Sequence, residues 1–413
     1  MSRTPSSSYR IIVLALVLAL SFPLPAHAGV AETDLIGSVS VGGSPTLLSA
    51  APDLDIPAGV LETSDGETLW SRAADAERAM ASTTKIMTAV VVLEQVENLD
   101  EVIIVPAKAV RIGESGVGIK AGEQQSVRDL LAAMLVHSAN EAAMALALYV
   151  GGSQEGFADL MNEKAEALSL EHSQFKNPHG LDESGHHTSA ADLATLARYA
   201  MRDQVFRDMV GLDEVRIPAP TGQRVIETSN KLLDRYDGAN GVKTGWTDDA
   251  GYCVVASAER DGIELVAVVL GARSESERFN EAEQLLDWGF AHYALQTVSS
   301  ADATAARVPV SDYLDQTVAA VVASSSVVPV FDLRGEITQS IDVLSEVEAP
   351  LVAGDRLGTL NIRQGDRLLA QVPIVAAADV VEPGGWERIK IWVTRAWRSV
   401  FGGERQAAPV SIM

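Results

Sequence analysis

The stretch "MASTTKIMTA", residues 80–89, places Ser82 three residues before Lys85, at the head of a run that is apolar nearly all round from Thr84 to Val96. A run with no polar face is the pattern of a helix buried on most sides. At i and i+3 on a helix, Ser82 and Lys85 share a face and can reach each other. Burial, or a second cation nearby, drives a lysine toward its neutral form, and a neutral amine can accept a hydroxyl proton. Taken alone the pair proves little, because an N-cap serine followed by a surface lysine reads the same way.

The flanks supply a fold for that helix. "AGVLETSDGETLW" (58–70) spells a hairpin turning at Asp65-Gly66. "SVRDLLAAMLVHSANEAAMALALYV" (126–150) reads as two helical stretches broken near His137 and Ser138, the first capped by Ser126 with Asp129 in the capping-box position. "TSAADLATLARYAM" is a further capped helix, "GYCVVASAERDGIELVAVVLGA" two long strands joined at Asp261-Gly262, and "SESERFNEAEQLLDWGFAHYAL" a closing helix. This order predicts an α+β layered domain over residues 51–298, an antiparallel sheet packed by helices.

Beyond it, short Val-rich runs such as "VVPVFDL", "RLGTLNI" and "LLAQVPIV" predict a small all-β domain over 305–378. "WERIKIWVTRAWRSVF" (386–401) sets Trp386, Ile389, Trp392, Val393, Ala396, Trp397 and Val400 on one helical face, with Arg388, Arg395 and Arg398 opposite. That pattern fits a helix lying in a membrane interface; the plainer alternative is a helix docked on its own β domain. At the other end, Arg3 and Arg10 precede the apolar run "IIVLALVLAL", and "AHA" (26–28) follows, so residues 1–28 read as a cleaved secretory signal. Residues 29–50, rich in Gly, Ser, Pro and Ala, read as a linker. With 56 acidic against 32 basic residues the formal charge is -24, which opposes nucleic acid as a partner. Cys253 is the one cysteine of the 413 residues, so no internal disulfide forms and stability rests on the core.

Two more short motifs change the weight of Ser-x-x-Lys. Ser138-Ala139-Asn140 sits where the two helical stretches break, and Lys243-Thr244-Gly245 precedes a long strand. Ser138 also reads as an N-cap with Glu141 closing a capping box, and Lys243 as an ordinary surface residue. The ordered trio is what is specific. It resembles the active-site elements of penicillin-binding proteins and class A β-lactamases. More closely, the chain is similar to the low-molecular-mass penicillin-binding proteins that are serine-type D-alanyl-D-alanine carboxypeptidases. "LMNEKAEALSLEHSQFKNPHGLDESG", "KTGWTDDAGYCVVASA" and "LLDWGF" share that family's local patterns.

The resemblance implies a β-lactamase/transpeptidase-like catalytic domain followed by a small β domain and an amphipathic helix, on the periplasmic face of a bacterial cytoplasmic membrane. It implies that Ser82 attacks the carbonyl between the terminal D-alanines of a peptidoglycan stem pentapeptide while Lys85 takes its proton. Backbone N–H groups of Ser82 and Trp246 would hold the oxyanion, Ser138 would relay a proton to the leaving amine, and Asn140 would orient the substrate. Lys243, Thr244, Gly245 and Arg278 would line the site of the free carboxylate, with Arg273 as the rival guanidinium. β-Lactams would acylate Ser82, and no cofactor or metal is implied. Three departures from the carboxypeptidase reading stay open: an endopeptidase on D-Ala cross-links, a β-lactamase using a carboxylate such as Asp182 or Glu183 of "NPHGLDESGHH", and a penicillin sensor without turnover. From another class, His179, His186 and His187 near Asp182 suggest a zinc hydrolase, though no His-Glu-x-x-His spacing supports it.

Overall fold

The computed structural model describes residues 30–38, 51–401 and 411–412, with side chains from 51 to 400. The signal segment expected over 1–28 lies outside them. The described chain divides into two units, one holding 51–297 and 327–336, the other 30–38, 298–326, 337–401 and 411–412.

The first unit is built on a five-stranded antiparallel sheet. Its strands lie in the order Thr68–Arg72, Ala58–Thr63, Ile263–Ala272, Gly251–Arg260 and Ala239–Thr247, so the strand carrying Lys-Thr-Gly is an edge. Successive side chains of a strand point to opposite faces. Val60, Cys253, Val255, Val266 and Val268 face a helical core, while Leu61, Val254, Ala256, Leu265 and Ala267 face the helix Glu275–His292. Asp261 and Gly262 both take positive φ (52° and 75°), the backbone demanded by a two-residue hairpin turn. On the helical side Lys85–Gln95 is buried at its first eight residues, as its all-round apolarity requires. Ser126 and Asp129 form the expected capping box on Val127–His137.

Ser82 is not on that helix proper. Ala81–Thr84 is a single 3-10 turn leading into it, and Ala81 holds a positive φ of 49°. The capping box drawn for Ser138 and Glu141 does not form. Ser138 ends the preceding helix in a left-handed conformation (φ 75°), Ala139 starts the next, and Glu141 turns away to accept N–H groups from Val117, Gly118 and Ile119. A loop with three unpaired donors is a better use of that carboxylate than one helix terminus.

Residues 327–336, expected within the small β domain, group with the first unit because Phe331 packs edge-on against Trp288 at 5.7 Å and Arg334 pairs with Glu67 at 3.0 Å.

The second unit is a seven-stranded sheet in the order Val30–Ser38, Ile337–Leu344, Arg356–Gln364, Arg367–Ala376, Thr317–Val322, Thr304–Pro309 and Ser411–Ile412. Within the linker expected over 29–50, residues 30–38 form a strand paired antiparallel with Ile337–Leu344, and the rest of it lies outside the described residues. An open sheet edge offers backbone partners whatever the side-chain pattern, and the register slips between Thr33 and Gly37, which is why no period marks it. The helix Gly385–Phe401 also belongs here. Arg395 donates to the carbonyls of Ser311 and Tyr313, Arg398 pairs with Asp315, and Ile391 is buried. Trp386, Trp392 and Trp397 stay 74, 71 and 64% exposed. Arg395 and Arg398 are thus on the docked side, Arg388 pairs with Glu382 in solvent, and the tryptophan side faces out. Among the described residues no helix is long and apolar enough to cross a membrane.

Candidate active site

The three motifs converge within the first unit. Lys85 is fully buried at the start of its helix, and its Nζ lies 2.8 Å from Ser82 Oγ and 2.8 Å from Asn140 Oδ1, with the His179 carbonyl as third partner. An ammonium would donate to all three. A neutral amine donates to Asn140 and His179 and is left with one lone pair facing the Ser82 hydroxyl, the arrangement of a base. Burial, and then the charge of Lys243, hold the Lys85 pKa well below the lysine range, against the opposing pull of Glu141 and Glu114.

Lys243 is itself buried, donates to the Thr244 carbonyl at 2.9 Å, and is pushed down to about 7 by burial and then by Arg278. Its strand presses on the Ala81–Thr84 turn. A Cβ on Gly245 would come 2.8 Å from Ser82 N and 2.9 Å from Ala81 Cβ, so only glycine fits there. Thr244 Oγ1 meets Ser229 Oγ at 3.2 Å. Trp246 is half exposed, with its ring 5.9 Å from that of Tyr252. Arg278 is buried, donates to the Gly245 carbonyl at 3.0 Å and lies over the Phe279 and Tyr252 rings. Its rival Arg273 pairs with Asp55 on the surface.

Asn140 is fixed from behind. Its Nδ2 donates to Gly113 O at 3.1 Å and its backbone N–H to Ser115 O at 2.9 Å. Ser138 Oγ is buried without a hydrogen-bond partner in the protein. A buried hydroxyl left unpaired costs about 1–3 kcal/mol, and Ser138 Oγ is not consumed by any group of the protein.

Residues 50–274, more than half of the chain, match the family model for D-alanyl-D-alanine carboxypeptidase. The chain belongs to the D-alanyl-D-alanine carboxypeptidase family. Residues 293–382 match the model for the C-terminal domain of penicillin-binding protein 5. The D-alanyl-D-alanine carboxypeptidase DacF of Bacillus subtilis is 30% identical over 334 residues, 79% of this chain and 85% of that protein. The crystal structure of the carboxypeptidase DacD from Francisella tularensis superposes with a TM-score of 0.62 at 28% identity, covering 83% of this chain and 97% of that one. The Streptomyces K15 DD-transpeptidase gives 0.56 at 32% identity over 58% of this chain and 98% of its own.

In this carboxypeptidase the loop 176–187 carries more of the site than its sequence shows. Its carboxylates are committed elsewhere: Asp182 accepts from Thr247 Oγ1 and the Asp249 N–H, and Glu183 from Asn177 Nδ2. Neither is among the hydrogen-bond partners of Ser82 or Lys85. The His179 and His186 ring nitrogens engage Leu181 N, Lys176 N and Thr84 Oγ1, and His187 lies 3.7 Å from Glu77. No three metal-ligating side chains converge among the described residues. What sequence reasoning missed is the His179 carbonyl and the glycine after it. A Cβ on Gly180 (φ +90°) would come 1.9 Å from the Ala81 carbonyl oxygen. The signal was a His-Gly pair in a polar loop, where backbone groups leave no mark on side-chain pattern.

Proposed function

We propose that the chain removes the terminal D-alanine from peptidoglycan stem pentapeptides through an acyl-enzyme on Ser82. The observation that carries this reading is the buried Lys85 amine, whose two N–H groups are taken by Asn140 and the His179 carbonyl when it is neutral, leaving its lone pair toward Ser82 Oγ at 2.8 Å. Ser82 Oγ bonds to the carbonyl carbon of the penultimate residue as its proton passes to Lys85 Nζ. Backbone N–H groups of Ser82 and Trp246 receive the oxyanion, and a preorganised donor of this kind is worth about 3 kcal/mol of barrier. The C–N bond then breaks, and the leaving D-alanine takes the Lys85 proton by way of Ser138 Oγ. Water attacks the ester with Lys85 again as base, releasing the shortened peptide. Asn140 orients the substrate amide while sharing Lys85. Thr244 and the Arg278 guanidinium receive the free carboxylate, in the field of Lys243, a planar fork matching a planar acid. β-Lactams acylate the same serine.

The exposed tryptophan face of Gly385–Phe401 supports peripheral attachment to a membrane after export, since tryptophan favours the interface of lipid and water. The deciding experiment is D-alanine release from a soluble peptide ending in Lys-D-Ala-D-Ala, comparing the mature protein with Ser82→Ala. Release that vanishes in the variant is the expected result; equal release from both would overturn the assignment.

A further inference from the structure

His186 is buried in the loop 176–187 and takes no part in the proposed chemistry. Its hydrogen bonds nevertheless lead to the nucleophile in one direction. The Lys176 N–H donates to His186 Nδ1 at 3.0 Å, so Nδ1 is an acceptor and the ring proton sits on Nε2. Nε2–H then donates to Thr84 Oγ1 at 2.9 Å. Thr84, with its lone pair taken, donates its own proton to the Ala81 carbonyl at 2.8 Å. With the other tautomer Thr84 would donate to the ring and abandon Ala81. The Lys176 amide thus selects the proton arrangement in which the Thr84 hydroxyl adds its hydrogen bond to the Ala81 oxygen, beside the backbone of the Ala81–Thr84 turn. Burial keeps the ring neutral, with its pKa pushed down to about 4.

That oxygen belongs to the same peptide unit as the Ser82 N–H. In a trans peptide the C=O and N–H point in opposite directions within one plane, so fixing one aims the other. The plane needs fixing, because Ala81 sits at a φ of 49° that alanine disfavours. Gly180 closes on the same carbonyl from the loop side. We propose that His186 is a positioning residue of the oxyanion hole, acting through Thr84 and the Ala81–Ser82 peptide. The inference rests on the proposed role of the Ser82 N–H and assigns the loop a task in transition-state stabilisation.

The test compares D-alanine release and penicillin acylation in Thr84→Val, Thr84→Ser, His186→Leu, His186→Gln and the Thr84→Val/His186→Leu double variant, with rates normalised to sites titrated by labelled penicillin. Removing an oxyanion donor outright costs about 10²–10³ in kcat, and a misaimed one costs part of that, so Thr84→Val should lose about 10-fold or more in kcat with KM within about 2-fold. Thr84→Ser keeps the hydroxyl, and glutamine can both accept from Lys176 and donate to Thr84, so these two should stay within about 3-fold of wild type by the same scale. The double variant should lose no more than Thr84→Val alone, because both changes cut one chain. Losses that multiply, a loss confined to KM, or a Thr84→Val enzyme as fast as wild type would each overturn the proposal. Should the leucine variant fold poorly, the Thr84→Val and Thr84→Ser pair decides by itself. Ser82→Ala that still releases D-alanine would instead refute the nucleophile assignment, an outcome separate from any result at Thr84.

Discussion

Gly180→Ala tests whether the loop and the nucleophile turn are one mechanical piece. The added methyl would sit 1.9 Å from the Ala81 oxygen, 2.4 Å from its carbonyl carbon and 2.9 Å from Ser82 N. Real Cβ atoms essentially never come closer than 3.0 Å, so something must move by about 1 Å, and every neighbour named is backbone rather than the end of a flexible side chain. Two costs follow. A left-handed φ of +90° on alanine destabilises the fold by about 1–3 kcal/mol, visible as a lower thermal midpoint. The displacement itself falls on the Ala81–Ser82 peptide or on the His179 carbonyl that holds Lys85, and a misplacement of about 1 Å at reacting groups costs about 10²-fold in rate. Acylation by a labelled penicillin and D-alanine release should therefore drop together by roughly that factor in protein that is still folded by circular dichroism. A folded Gly180→Ala enzyme within about 3-fold of wild type would refute the claim that loop position sets nucleophile position.

Other perturbations separate the remaining parts of the site. Lys243→Gln removes a charge that holds the Lys85 pKa down, so the Lys85 pKa rises and the acid limb of the limiting acylation rate moves to higher pH; a limb that stays or moves to lower pH would contradict the pairing. Arg278→Ala should raise KM for a D-Ala-D-Ala peptide by about 10- to 100-fold, the value of a charge-assisted hydrogen bond, while Arg273→Ala, on the surface with Asp55, should leave kinetics unchanged. Equal effects at the two arginines would return the carboxylate assignment to an open question. Deleting residues 386–413 should release the protein from membranes with D-alanine release intact, and replacing Trp386 and Trp392 by alanine should weaken partitioning onto vesicles. Persistent sedimentation of the truncated form with membranes would remove the helix as anchor.

The parts of this molecule that were legible in its sequence are those encoded by side-chain pattern. The all-round apolar helix after Lys85, the Ser126 capping box and the Asp261-Gly262 hairpin each depend on residue type at a fixed spacing, and each stands in the structure. What pattern could not show is work done by backbone. The Val30–Ser38 strand pairs along a sheet edge through main-chain groups, the His179 carbonyl completes the Lys85 shell, and Glu141 caps a loop 22 to 24 residues away rather than its own helix. Ser138-Ala139-Asn140-Glu141 shows the conflict directly. Local rules favour a serine cap closed by Glu141, but the left-handed Ser138 leaves its hydroxyl free and buried, where a cap would have consumed it.

The C-terminal helix carries the same lesson in another form. Amphipathicity predicts two faces but not which of them the protein keeps. Arginines opposite tryptophans suggest cations for anionic lipid, yet Arg395 and Arg398 are turned to the carbonyls of Ser311 and Tyr313 and to Asp315. A helix held by Arg395 and Arg398 presents indole rings as its outward contact, and indoles gain by lying at the boundary of water and hydrocarbon whatever the headgroup charge. In a chain with a formal charge of -24, that arrangement lets a surface repelled by anionic lipid still bind through apolar contact, which predicts vesicle binding that survives high salt. Binding abolished by salt would place the arginines, not the tryptophans, at the membrane.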